Sequence, residues 1–276
     1  MMSGWKLALH TWTIDTTPFD IALDVSRATG FDAIELRRSD LVQCFRRGRS
    51  RASIIDAILR NSLPVGILGT EYGWFFTTGD EQLRMFEVLR ETCEIAREVG
   101  CDMIMSAPGQ FTGTVEQAIE ATKIAGDIVG SYGLRLALEF NSQHPLVNRT
   151  GILREIIDGA DNDHCGMLLD SYHLYRSQGI SRGLDGVRGE ELFVFQYSDV
   201  PENPETGVRR PVDRLAPGEG VLDWKELFSI LDAIGYRGYL SYEAPNPAAW
   251  ARSPYDVARE GLDRTRTLLA QAGMAQ

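Results

Sequence analysis

The chain has 276 residues, 43% of them hydrophobic and 24% charged, a globular composition that excludes wholesale disorder and predicts a large buried core. Its 28 basic and 39 acidic residues give a net charge of −11, the wrong sign for a surface that must neutralise the phosphates of a nucleic acid. No stretch approaches the roughly 20 apolar residues of a membrane span, the N-terminal segment lacks a signal-like apolar run, and four scattered cysteines fit a reduced cytoplasm.

Short apolar runs alternate with stretches of helical period, the pattern of repeated βα units around a parallel sheet. The first strand is expected at residues 5–10 (WKLALH), followed by a helix with Thr17 as cap, Pro18 as first helical residue and Gly30 just beyond its end. Further strands are predicted at 32–36 (DAIEL) and 64–70 (PVGILGT). Leu83, Phe86, Leu89, Cys93 and Ala96 then recur at three and four residues, an apolar stripe expected to face the strands, with Gly100 marking the end of its helix. A fourth strand at 102–106 (DMIMS) precedes a helix that Thr114 and Gln117 open at capping-box spacing. Strands follow at 134–140 (LRLALEF), 165–170 (CGMLLD) and 192–197 (LFVFQY), and the polar, proline-rich segment from Pro201 to Pro217 reads as a loop. Asp223 and Glu226 repeat the capping-box spacing, 238–243 (GYLSYE) is the eighth strand, and Ser253-Pro254 starts the last helix. Eight such units predict an α/β fold, a (β/α)8 TIM barrel forming a single domain over residues 1–276.

In that architecture the loops at the C-terminal ends of the strands build the active site, so the residues closing each strand are the candidates for chemistry. Glu139 in LALEF, Asp170 in LLDSYH, Gln196 in VFQYSD and Glu243 in LSYEA each follow an apolar run directly. Three carboxylates converging at a barrel mouth repel one another and are costly to desolvate, so a bound divalent cation is the expected compensation. His164 precedes the sixth strand, at the opposite end of the barrel, and is expected to be structural.

The LALEF strand, LLDSYHLYRS with its Asp-x-x-His, FQYSDVP and RLAPGEGVLDWKELFSILDAIGYRGYLSYE resemble the xylose isomerase-like barrels of the sugar phosphate isomerase/epimerase superfamily, over essentially the whole chain. The resemblance implies one divalent metal held by Glu139, Asp170, Gln196 and Glu243, with Glu139 and Glu243 also serving as acid and base. Gln196 stands where many members place a histidine. An amide in place of imidazole makes the ligand set all-oxygen, which favours Mn²⁺, with Mg²⁺ or Co²⁺ as alternatives, over Zn²⁺. Gln-x-x-Asp at this strand is similar to hydroxypyruvate isomerase and to bacterial 3-dehydroshikimate dehydratases, although the dehydratases usually carry an arginine-bearing segment where this chain reads ILGTEYGW.

The implied activity is isomerisation or epimerisation of a keto-sugar or related polyhydroxy carbonyl compound. One glutamate takes a proton from the carbon beside the carbonyl and the other returns it. Expulsion of a β-hydroxyl from the same intermediate would make the enzyme a dehydratase or lyase, acting like a 3-dehydroshikimate or inosose dehydratase. His173 is expected to donate to a substrate oxygen or shuttle a proton, unless it serves a neighbouring loop. Arg214 offers a planar fork to substrate oxygens, and His10 with Trp12 lies against a sugar ring, or Trp12 covers the core. Glu35 and Glu71 are expected to bind hydroxyls, His144 to lean over the substrate, and Glu219 to be a turn residue that also touches the site. The partners implied are a small sugar-like substrate and a second or further copies of the chain, as a homodimer or homotetramer, with no nucleic acid or membrane. A metal-dependent nuclease like endonuclease IV needs more histidines than the four present and a basic face. A non-catalytic sugar-binding protein is opposed by the complete ligand set.

Overall fold

A computed structural model of the protein describes residues 4–208 and 210–274. Eight strands, β1 (Lys6–His10), β2 (Ala33–Leu36), β3 (Val65–Gly69), β4 (Met103–Ser106), β5 (Arg135–Glu139), β6 (Cys165–Asp170), β7 (Leu192–Tyr197) and β8 (Tyr239–Tyr242), form a closed barrel in sequence order. All pairings are parallel, and β8 closes against β1 through Leu7–Leu240 and Leu9–Tyr242. Each strand agrees with its predicted run to within one residue at either end. The agreement follows from burial on both faces, which makes each strand apolar almost throughout.

The helices are α1 (Phe19–Thr29), α2 (Arg38–Arg46), α3 (Arg51–Asn61), α4 (Gly79–Glu98), α5 (Val115–Ser131), α6 (Thr150–Ala160), α7 (Ser171–Ser177), α8 (Ile180–Leu184), α9 (Trp224–Ala233), α10 (Pro247–Trp250) and α11 (Pro254–Gln271). Thr114 and Gln117 form the reciprocal capping box that the sequence predicts, and Asp223 accepts from the Glu226 amide at 2.9 Å. Two expectations change. Pro18, not Thr17, occupies the N-cap position of α1, with no side-chain cap bond, and the helix begins at Phe19. Leu83 is 64% exposed, while Phe86, Leu89, Cys93 and Ala96 are buried as expected. It is the fifth residue of α4, near the start of that 20-residue helix.

Most of the core lies between strands and helices, and a second, smaller cluster fills the barrel itself. Ala8, Ala33, Ala137, Leu168 and Val194 belong to that inner layer. Because side chains alternate along a strand, the residue two positions on shares the same inward face. Those residues are His10, Glu35, Glu139, Asp170 and Gln196. The barrel therefore carries a polar floor directly above an apolar one, at the C-terminal ends of its strands.

The described residues of the segment 201–217 form a loop, as predicted, and one buried carboxylate returns it to the barrel. Asp199, just beyond β7, bridges Leu215 backbone to backbone. Its Oδ1 accepts from the amides of Val200 (2.9 Å) and Leu222 (3.1 Å), and its Oδ2 from Gly218 N (2.9 Å) and Trp224 Nε1 (2.9 Å). Gly220 has to be glycine, since a Cβ there would lie 2.2 Å from the Val200 carbonyl oxygen. Among the described residues no helix is long and apolar enough to cross a membrane.

Candidate metal centre and active-site cavity

Carboxylate oxygens of Glu139, Asp170 and Glu243 all come within 4.8 Å of one another, and all three residues are buried. The strand ends put them there: Asp170 and Gln196 are register partners on β6 and β7, Gln196 pairs with Ser241 on β8, and Glu243 follows β8. One oxygen of Asp170, Oδ1, caps α7 by accepting from the amides of Tyr172 (2.7 Å) and His173 (3.2 Å). The other, Oδ2, lies 2.6 Å from Arg214 Nη1, which also reaches Glu243 Oε2 at 2.7 Å. Asn246 fixes the Arg214 carbonyl with a hydrogen bond of 2.9 Å.

These residues fit a divalent cation. Three clustered carboxylates face one guanidinium, leaving two negative charges unmatched if all are ionised. Gln196 Oε1 is buried without a hydrogen-bond partner, a vacant acceptor beside the cluster. Burial, reinforced by Glu243 and Asp170, pushes the Glu139 carboxyl well above the usual range. Burial raises Asp170 as well, outweighing the opposing pull of Arg214.

Two histidines flank the cluster. His10 Nδ1 accepts the Trp12 amide at 3.0 Å, so the neutral ring carries its proton on Nε2, which lies 3.3 Å from Glu243 Oε1 and 3.7 Å from Glu35 Oε1. Burial and the nearby Arg37 hold His10 well below the ordinary histidine range. His173 Nδ1 meets Ser142 Oγ at 3.0 Å, and its Nε2 faces Glu139 Oε1 at 3.7 Å and Arg214 Nη2 at 3.4 Å. Burial pushes His173 down to about 3, so it meets a substrate as a neutral ring rather than as the near-neutral titrating group its unperturbed pKa suggests.

Above the cluster opens a cavity of about 460 Å³ lined by His10, Trp12, Glu71, Glu139, His173, Arg214 and Glu243. Three other expected contacts are placed elsewhere. Glu35 is wholly buried below the cavity, accepting from Gln196 Nε2 at 2.8 Å, and burial pushes it up to about 8. His144 ties two loops together: Nδ1 accepts from the amides of Leu146 and Val147 in its own loop, and Nε2 meets the Phe111 carbonyl of the loop after β4 at 2.8 Å. Glu219 lies on a separate surface depression, paired with Arg264 at 2.7 Å. Glu71 does reach the cavity but is held there by Arg84. At the far end His164 meets the Leu134 carbonyl at 3.0 Å, the structural role expected of it.

The cavity also contains residues that sequence reasoning passed over. Arg37 and Asn141 lie just past the ends of β2 and β5, where the strand-end rule would have found them. Tyr72 and Phe111 come from the loops after β3 and β4. Arg210 reaches in from the long loop, 4.4 Å above the Trp12 ring, a placement with no local signature.

Comparison with known proteins agrees with this architecture. The chain is 22% identical to an inosose isomerase of Bacillus velezensis over 96% of both proteins. It is 23% identical to a 3-dehydroshikimate dehydratase of Pseudomonas putida, over 87% of this chain and 38% of that one. Among solved structures, the IOLI protein crystallised with a binding zinc atom superposes with a TM-score of 0.86 at 20% identity, covering 97% of this chain and 99% of that one. The family model for the xylose isomerase-like TIM barrel matches residues 23–268, and the chain belongs to that family.

Proposed function

We propose that the protein is a divalent-metal-dependent isomerase or epimerase of a keto-sugar or related polyhydroxy carbonyl compound. The observation that carries this reading is the convergence of Glu139, Asp170 and Glu243 beneath the cavity, with the unpartnered Gln196 Oε1 beside them. Glu139, Asp170, Gln196 and Glu243 would hold the ion, and their all-oxygen donors favour Mn²⁺, with Mg²⁺ or Co²⁺ as alternatives. When bound there, such an ion polarises a carbonyl and lowers the cost of negative charge on its oxygen.

The chain's own groups supply the rest. Glu139 and Glu243 both face the cavity, so one takes the proton from the carbon beside the carbonyl while the C–H electron pair becomes the C=C bond of an enediolate. The other returns a proton, to the opposite face in epimerisation or to the neighbouring carbon in isomerisation. Arg214 and the neutral His173 direct donors at the substrate oxygens, and Trp12 offers an aromatic face to the sugar's apolar side. The charge and cavity suit a small-molecule substrate rather than a nucleic acid, and four buried free thiols suit a reduced cytoplasm.

The likeness to a 3-dehydroshikimate dehydratase favours a second outcome, loss of a β-hydroxyl from the same intermediate. Metal analysis of the purified protein, with deuterium wash-in from D₂O over a panel of keto-sugars, inososes and hydroxypyruvate, tests both. Bound metal with deuterium entering beside the carbonyl is the expected result. Release of water with a conjugated product selects the dehydratase, and absence of metal overturns the reading.

A further inference from the structure

We propose that Glu35 is a positioning residue that makes a metal ligand of Gln196. The inference rests on the metal site described above and concerns a residue that takes no part in lining the cavity. Glu35 is fully buried on β2, while Gln196 is on β7, with β8 and β1 between them in the barrel order. Their contact, Gln196 Nε2 to Glu35 Oε1 at 2.8 Å, therefore crosses the barrel interior rather than joining neighbouring strands.

A glutamine amide has two ends of nearly the same shape, and only its hydrogen bonds choose between them. Here the NH₂ end is committed to Glu35, which turns Oε1 away from Glu35 and leaves it buried without a partner. Flipped, the amide would give up the Nε2 bond to Glu35 and present N–H groups, which cannot bind a cation, in place of Oε1. Loss of an outer residue that orients a metal ligand in this way typically costs roughly 10- to 100-fold in metal affinity or activity.

The test is the Mn²⁺ dissociation constant of EDTA-stripped protein, measured by titration calorimetry, together with the electron paramagnetic resonance spectrum of the bound ion. Glu35→Leu removes the acceptor at similar volume and is expected to weaken Mn²⁺ about 10- to 100-fold and to alter the spectrum. Glu35→Gln keeps an acceptor oxygen and is expected to stay within about threefold of wild type. In a Gln196→Leu background, Glu35→Leu should add no further loss, because the residue it acts through is gone. Should Glu35→Leu fail to fold by circular dichroism, Glu35→Met is read in the same way. Wild-type affinity in the Leu or Met variant overturns the proposal, as does an equal loss in the Gln196→Leu background or a Glu35→Gln variant as weak as Glu35→Leu. Failure of the wild-type protein itself to bind Mn²⁺ overturns the metal site with it, which separates the two readings.

Discussion

Arg214 places Nη1 2.6 Å from Oδ2 of Asp170, joining residues 44 apart in the chain inside a cluster of buried carboxylates. The same nitrogen reaches Glu243, so one loop residue compensates two strand-end carboxylates. Removing one partner of a buried ion pair typically costs about 3–5 kcal/mol. Arg214→Met should therefore lower the Tm of the metal-free protein by roughly 10 °C. Added Mn²⁺ should recover part of the loss. An unchanged Tm in scanning calorimetry would show that Arg214 does not stabilise the cluster.

Glu139→Gln and Glu243→Gln remove a proton-transfer group while keeping shape. Each should retain the wild-type circular dichroism spectrum and lose about 10²- to 10⁴-fold in turnover and in deuterium wash-in. Wild-type exchange in either variant would sink the two-glutamate scheme.

Chelation should abolish activity, and Mn²⁺ should restore it. Mn²⁺ at a hundred times its dissociation constant should stabilise the stripped protein by about 2.7 kcal/mol, readable as a thermal shift. Gln196→His introduces a borderline nitrogen donor and should shift the preference from Mn²⁺ toward Zn²⁺ by about tenfold. An unaltered Mn²⁺/Zn²⁺ affinity ratio would remove Gln196 from the ligand set.

The buried Glu35 gives the metal-stripped protein a defined pH dependence. Its folded pKa is raised from 4.5 to about 8, so its contribution to stability is fully present below pH 4.5 and is lost as pH rises toward 8. Glu139 and Asp170 shift in the same direction but are common to wild type and variant. Urea unfolding should show the wild type losing a few kcal/mol more than Glu35→Gln between pH 5 and pH 8. Parallel curves would contradict the burial argument.

Gly220→Ala tests how the long loop is anchored. The added methyl would meet the Val200 carbonyl oxygen at 2.2 Å and Asp199 Oδ1 at 2.5 Å, and a carbonyl of the main chain cannot move aside cheaply. The variant should lose about 2 kcal/mol or more in stability and raise KM, because the displaced return carries Arg214 with it. Wild-type stability and KM would show that the return is softer than its packing indicates.

Much of this protein was legible in its sequence because the signals are local. Eight apolar runs, each buried on both faces, marked the strands, and the polar residue closing each run marked the inward position above the apolar floor. Glu139, Asp170, Gln196 and Glu243 were found in that way, and the structure brings the three carboxylates together. The rule says which residues end strands, not how deep each one sits. Glu35 and Glu139 both close an inward column, yet Glu35 lies sealed under the cavity while Glu139 opens into it. That difference arises from closing the barrel, which sets β2 against β7 across the interior and joins Glu35 to Gln196. Loop residues were less legible still. His144 and Glu219 carry suitable chemistry but are held by loop backbone and by Arg264, whereas Arg210 and Arg214 reach the cavity because Asp199 folds the long loop back over the mouth. Strand periodicity is written in neighbouring residues, but the destination of a loop side chain depends on contacts that exist only once the barrel has closed.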